Sequence, residues 1–224
     1  MVLEFFRRGS ESRLEQIESQ IGSMLADARH SFDLAASSLL AGAQPSVVGA
    51  DVHATDKRIN ATEREIRREL VVHVSVHQTS ADVPMILAYM AVAKDVERIG
   101  DYAKNIYDIA FQGIDLSNAE DVEQLISYRD RISLLISQTA QTFLDRATDD
   151  AREYISEGDK LLDEFDKRID DLAASDAPST FGVPRALLFR YMKRITAHLM
   201  NVLSALTMPL DQLAYFDEAK EDRA

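Results

Sequence analysis

One apolar pattern occurs twice in this chain, and it limits the fold more than any other feature. The first copy alternates spacings of four and three residues, as in a heptad seam between packed helices. Its members are Val92, Val96, Ile99, Ala103, Ile106 and Ala110. The second copy, with each member 96 residues after its counterpart, is Leu188, Met192, Ile195, Leu199, Val202 and Leu206. A chain with two such seams is predicted to fold as two similar helical units.

Shorter matches extend the repeat to the rest of the chain. "LEQI" at 14–17 matches "VEQL" at 122–125, and "DKRIN" at 56–60 matches "DKLLD" at 159–163. A rival match of "DKRIN" with "DKRID" at 166–170 has better identity, but it would remove about fifteen residues from the following hairpin, so we prefer the first. The repeat is long enough to indicate a domain duplication rather than a solenoid.

Breaks in the helical pattern divide the chain into six segments. The predicted helices cover about 11–42, 47–75, 84–112, 117–147, 149–174 and 184 onward, with a hairpin at 77–84. Ser117 and Glu120 form a capping-box pattern that predicts the start of the fourth helix. The sixth helix is expected to start near Pro184, and Pro209 is expected to end or kink it. We therefore predict an all-α fold of two tandem three-helix bundles related by internal duplication, at residues 1–114 and 115–224.

Composition narrows the functional classes. The chain has 224 residues, a net charge of −13, no cysteine and no apolar run of 18 residues. Proteins that bind nucleic-acid duplexes usually carry a basic face, so we expect no direct nucleic-acid partner. The absence of cysteine excludes disulfides and thiolate metal sites, and a cytoplasmic location fits best. No transmembrane span is predicted.

The stretch "KDVERIGDYAKNI" at 94–106 contains features that a plain helix avoids. Glu97 and Asp101 are like charges four residues apart, which destabilises a helix by a few tenths of a kcal/mol. Gly100 between them costs up to about 1 kcal/mol relative to alanine. The heptad pattern places both carboxylates away from the seam, on an outer face. One interpretation is a solvated face on which Lys94 and Lys104 pair with their neighbours at i,i+3.

The other interpretation is a metal site. Carboxylates at i and i+4 present their oxygens about one helical turn apart, and the second helix offers Asp56 and Asn60 at the same spacing, with Glu63 beyond. Four or more oxygen ligands would suit magnesium, manganese or iron. A cation would relieve the like-charge repulsion, and Gly100 would allow a neighbouring helix or a ligand to approach closely.

Other kinds of chemistry find little support. None of the five histidines has a glutamate three residues before it, as a ferritin-like di-iron site requires. His73 and His77 form an i,i+4 pair that could bind zinc, but with no cysteine and no obvious third ligand, packing at the hairpin is the better explanation. There is neither a glycine-rich phosphate loop nor a nucleophile pattern, so we expect no enzymatic activity.

The same stretch resembles the signature of the PhoU family, and "DKRINATEREI" at 56–66 looks like the helix that precedes it in that family. The resemblance implies the duplicated three-helix fold over essentially the whole chain. It also implies that Glu97 and Asp101 match the family's E/D-x-x-x-D pattern, which in some members carries surface clusters of iron or zinc. Asn60 stands where a second acid is expected, and Lys193 and Ala197 replace the acids of the sixth helix.

From the resemblance and the spacing we expect divalent or iron ions at Asp56, Asn60, Glu97 and Asp101. Asp159 and Asp163 keep the fifth helix acidic and are the candidate ligands of the second half. The departures at Lys193 and Ala197 make a second site doubtful, so we expect one metal-binding face at most, on helices two and three.

The resemblance further implies a cytoplasmic negative regulator of phosphate uptake and phosphate-starvation signalling. The implied partners are the ATPase of the phosphate ABC transporter, a phosphate sensor histidine kinase, or another phosphate carrier, with only peripheral contact with membrane proteins. A homodimer is expected, because elongated bundles with exposed seams often pair. The alternatives are a metal-storage or metal-sensing protein and a metal-dependent enzyme such as a phosphatase.

Overall fold

The computed structural model describes residues 2–77 and 83–213, and the side chains of residues 13–76 and 83–213. Within these ranges the chain forms six α-helices and no strand, so the all-α prediction is confirmed. The helices are α1 (Val2–Leu40), α2 (Pro45–His77), α3 (Val83–Phe111), α4 (Val122–Asp145), α5 (Thr148–Ala173) and α6 (Ser179–Thr207), followed by a short 3₁₀ helix, Leu210–Gln212. None of the described helices combines the length and apolar character that a bilayer crossing needs.

The six helices form two bundles of three. α1, α2 and α3 pack against one another in the first bundle, and α4, α5 and α6 do so in the second. Contacts of α3 with α6 and of α1 with α4 join the bundles. The four helices α1, α3, α4 and α6 therefore form the centre of the molecule, while α2 and α5 make their main contacts within their own bundles.

Both apolar seams are buried as predicted. Every member of the two seams is at most 3% exposed, apart from the half-buried Leu206. Each buried aliphatic side chain contributes roughly 1.5–3 kcal/mol relative to exposure, so the seams supply a large part of the core. The two seams join residues of all six helices in one hydrophobic cluster.

Three helix boundaries differ from the sequence-based expectations. α1 already begins at Val2 rather than near residue 11. The capping pattern at Ser117 does not start a helix: the Ser117 N–H is bound by the Asp115 carboxylate at 2.8 Å, and α4 begins at Val122. α6 begins at Ser179, so Pro184 lies inside the helix and its ring is buried. Because proline has no backbone N–H, the helix lacks one hydrogen bond at this position.

Three other expectations have different outcomes. α6 ends at Thr207, two residues before Pro209, as predicted. The hairpin at 77–84 falls mostly outside the described residues. The domain boundary at 114/115 lies between α3 and α4 and stays a prediction.

Candidate functional site

Three carboxylates lie along the contact between α2 and α3, and we call Asp56, Glu97 and Asp101 the acidic stripe. Their side chains are 14%, 12% and 35% exposed, respectively. The stripe is therefore half-buried rather than a solvated outer face. The heptad pattern underestimated this burial because α3 packs against α1, α2 and α6, which also cover positions beside its seam.

Two lysines of α3 pair with the acidic stripe. Lys94 Nζ donates a hydrogen bond to Glu97 Oε2 at 2.6 Å. Lys104 Nζ donates to Asp56 Oδ1 at 3.3 Å and lies 4.0 Å from Asp101 Oδ1. The predicted i,i+3 pairings are thus confirmed, and Lys104 also bridges the two helices.

The ionised form of Asp101 is destabilised in this arrangement. Burial raises the pKa of its carboxyl above the ordinary aspartate value, and the nearby charges of Glu97 and Asp56 raise it further. Lys104 and Lys94 oppose this increase in pKa without cancelling it. Arg98 Nε also lies 3.9 Å from Glu97 Oε2, so each carboxylate of the stripe has a cation within 4 Å. The raised pKa nevertheless means that Asp101 binds a proton more readily than an ordinary aspartate.

Gly100 lies where α2 comes close to α3. A Cβ atom at this position would be 2.9 Å from Ile59 Cδ1, closer than a real Cβ tolerates. The expectation that Gly100 permits a close approach is confirmed, and α2 is what approaches it. The glycine in the signature is explained by helix packing alone.

The remaining candidate ligands are spread over two helices. Asn60 is half-buried on α2, while Glu63 is buried and pairs with Arg67 Nε at 2.8 Å. Asp159 and Asp163 belong to α5, which makes its contacts with α4 and α6, and both have interaction partners. The structure therefore brings Asp56, Glu97 and Asp101 together and leaves Asp159 and Asp163 in the other bundle.

Within the described ranges, no three histidine, aspartate or glutamate side chains are grouped so as to hold a metal ion. A metal at the acidic stripe would have to displace Lys94 or Lys104 from the carboxylates they bind. The predicted metal site stays a prediction. Of the histidine pair, His73 is buried, and the side chain of His77 is not among those described.

A buried polar cluster between α3 and α6 was not predicted. His198 Nδ1 lies 2.8 Å from Asp95 Oδ1, and the Asn201 side-chain amide donates to the same oxygen at 3.1 Å. Tyr102 stacks on His198, with ring centroids 5.7 Å apart. Tyr102 and His198 are equivalent positions of the repeat, 96 residues apart, so at this point the two halves contact each other through equivalent residues. The equivalence of Tyr102 and His198 in the repeat is the one feature of the sequence that could have indicated this contact.

A second unpredicted cluster joins α1, α3 and the end of α4. Tyr89 and Arg146 both donate hydrogen bonds to the buried carboxylate of Glu18. Burial and the Glu18 carboxylate raise the pKa of Tyr89 above its ordinary value. Arg146 adopts a left-handed conformation with φ of 52°, which no other non-glycine residue in the described ranges does.

Comparison with known proteins agrees with this architecture. Residues 21–110 match the family model of the PhoU domain, a range that contains the acidic stripe. The fold is similar to the crystal structure of PhoU from Pseudomonas aeruginosa, with a TM-score of 0.78 and 20% identity, over 88% of this chain and 96% of that one. No curated protein matches the chain. The resemblance seen in the signature is confirmed: residues 21–110 match the PhoU domain model, and the fold over 88% of the chain is similar to that of a PhoU structure.

Proposed function

We propose that this protein is a negative regulator of phosphate uptake and phosphate-starvation signalling, acting by binding in the cytoplasm. The observation that carries the proposal is the PhoU-domain match over 21–110, which includes the signature helix α3. PhoU-family proteins are regulators of phosphate homeostasis. The partner is the ATPase of a phosphate transporter, the phosphate sensor kinase, or both.

The physical properties of the chain support a binding role. Its long helices provide rigid faces for docking, as helix-in-groove recognition requires. Its net charge of −13 would steer it toward the basic cytoplasmic segments that membrane proteins carry in excess. In this proposal the protein turns over no substrate, and the homodimer expected from the sequence stays a prediction.

A binding regulator must discriminate between two states of its target. A ligand with equal affinity for both states shifts no equilibrium. We therefore expect the protein to bind the cytoplasmic part of the sensor kinase more tightly in the kinase-off state than in the kinase-on state. Titration of the purified protein against kinase fragments held in each state tests this, and equal affinities would remove the switching mechanism.

Metal storage or sensing is the second candidate function. It is favoured by the acidic stripe, where burial and Glu97 raise the pKa of Asp101. The test is the metal content of purified wild-type protein and of the Glu97→Ala/Asp101→Ala variant, after dialysis against iron, manganese or zinc. Equal metal content in the two proteins would exclude the stripe as the site.

A further inference from the structure

A groove runs between the end of α3 and the beginning of α6, and it combines exposed apolar side chains with an acid. Its volume is 430 Å³, and we call it the α3–α6 groove. Ile109 and Pro184 are buried in its floor, while Val183 and Leu187 are 54% and 39% exposed along its side. Val183 and Leu187 are one helical turn apart, the spacing with which a second helix packs.

The acid of the groove is Asp108, which no described cation neutralises. Lys104, one turn before it on α3, is held by Asp56 of the acidic stripe. Asp108 therefore differs from Asp56 and Glu97, which both have lysine partners. An open groove with apolar walls and an unpaired carboxylate fits a ligand that is both apolar and basic.

The repeat provides an internal comparison, because equivalent positions build a second cavity of 310 Å³ at the other end of the α3–α6 pair. The equivalents, 96 residues apart, are Pro84 with Thr180, Ala88 with Pro184, Ala205 with Ile109, and Met208 with Gln112. There the chain itself supplies Leu210 and Leu213 as an apolar wall, and Arg146 neutralises the Glu18 carboxylate. In the α3–α6 groove, by contrast, none of the described residues supplies a cation that pairs with Asp108.

We propose that the α3–α6 groove is the docking surface for an amphipathic helix of the membrane partner. That helix belongs to whichever of the two proposed partners, the transporter ATPase or the sensor kinase, the protein binds. It would place apolar side chains against Val183 and Leu187 and a lysine or arginine against Asp108. The inference rests on the proposed function and specifies which surface of this chain performs it.

The test is a titration of the purified full-length protein against the transporter ATPase and against the cytoplasmic part of the sensor kinase. The groove variants are Val183→Asp, Leu187→Asp and Asp108→Lys. The matched controls are Leu134→Asp on α4, where the side chain is 57% exposed, and Asp171→Lys at an exposed position of α5. Circular dichroism and thermal unfolding verify that each variant is folded.

We expect the wild type to bind at least one of the two partners. Each groove variant should weaken that binding by about tenfold or more, since truncating or reversing an anchor at an interface centre typically costs over 1 kcal/mol. The controls should stay within about twofold of wild type. A lysine-to-glutamate change in the partner helix that restores binding to Asp108→Lys would identify the charge pair directly.

The failures of the two proposals are distinguishable. If the wild type binds neither partner, the proposed function is overturned, and the groove inference with it. If the wild type binds but the groove variants bind equally well, only the groove inference is overturned. Cosedimentation with phosphatidylcholine vesicles that Leu187→Asp abolishes would show that the groove meets lipid, which would also overturn the inference.

Discussion

The α2–α3 interface of the first bundle and the α5–α6 interface of the second have the same architecture but differ in their acids: α3 carries Glu97 and Asp101, whereas α6 has no acidic residue. Glu97 of α3 corresponds to Lys193 of α6, 96 residues later. Lys193 Nζ crosses to α5 and donates to both carboxylate oxygens of Asp166, one of them at 2.6 Å. In both bundles a lysine therefore crosses the interface to an acid, Lys104 to Asp56 in the first and Lys193 to Asp166 in the second. Only the first bundle has further acids, Glu97 and Asp101, on the same helix as its lysines.

The PhoU fold can therefore be present without the acidic signature of α3. The apolar seam is buried in both bundles, and the PhoU fold covers both. The PhoU-domain match, by contrast, ends at residue 110, within α3. Packing against the seam maintains the second bundle even where Lys193 and Ala197 have replaced the acids.

Each of the two interfaces has a glycine where its two helices come close, but the glycine lies on a different helix in each bundle. In the first bundle the glycine is Gly100 on α3, and in the second it is Gly158 on α5. The equivalent position of Gly100 is Thr196 on α6, and that of Gly158 is Thr55 on α2. Each helix pair therefore keeps one glycine at the close approach, but on opposite helices.

Ala197→Asp would give α6 the acid that α3 has at the equivalent position, Asp101. Ala197 is 2% exposed and packs with Leu162 and Met200, so the new carboxylate would be buried. Lys193, one turn before it on α6, is already bound to Asp166. We expect a loss of about 3–5 kcal/mol in the free energy of unfolding, measured with urea. The reciprocal control, Asp101→Ala, should change it by about 0.5 kcal/mol or less. A loss below about 1 kcal/mol for Ala197→Asp would contradict the contrast.

Gly158→Ala tests the close approach in the second bundle. The added Cβ would lie 2.7 Å from Met200 Cγ and Sδ, and Met200 is fully buried. Overpacking costs about 1–3 kcal/mol and exceeds the helix-propensity gain of up to about 1 kcal/mol, so the melting temperature should fall. Gly182→Ala in α6, where no atom lies within 4 Å of the new Cβ, is the control and should raise it. Equal effects would show that packing does not require Gly158.

Gly100→Ala tests the first bundle and should cost less, about 1 kcal/mol, because a single terminal methyl stands in the way. That methyl is Ile59 Cδ1, 2.9 Å from the new Cβ. Ile59→Val removes it, so Gly100→Ala should be better tolerated in the Ile59→Val background. A double-mutant cycle of unfolding free energies measures this coupling. Additive effects would mean that Gly100 is present for a reason other than its contact with α2.

Asp101→Asn should produce the smallest effect, a slight stabilisation at neutral pH of about 0.5 kcal/mol. The raised pKa of Asp101 means that the folded state binds its proton more tightly than the unfolded state. Stability is therefore lost as pH rises from the ordinary value of 3.8 through the raised pKa. The advantage of Asp101→Asn should grow over that window and vanish below it, as thermal unfolding at several pH values would show. An advantage that is independent of pH would contradict this account.

The seam made the fold predictable, since its residues combine strict spacing with burial in both bundles. The candidate site was only partly predictable. Spacing along one helix anticipated the pairing of Lys94 with Glu97, but it did not reveal that Lys104 reaches Asp56 or that α2 half-buries the stripe. The cluster of Asp95, His198 and Asn201 joins residues more than 100 positions apart, so only the packing of α3 on α6 brings it together.

The most direct test of regulation by this protein is the alkaline phosphatase activity of a deletion strain grown in abundant phosphate. We expect high activity in the deletion strain and low activity once the wild-type gene is restored, because loss of a negative regulator activates the phosphate-starvation response. Activity that stays low in the deletion strain would contradict the account. It would show that this protein does not restrain that response.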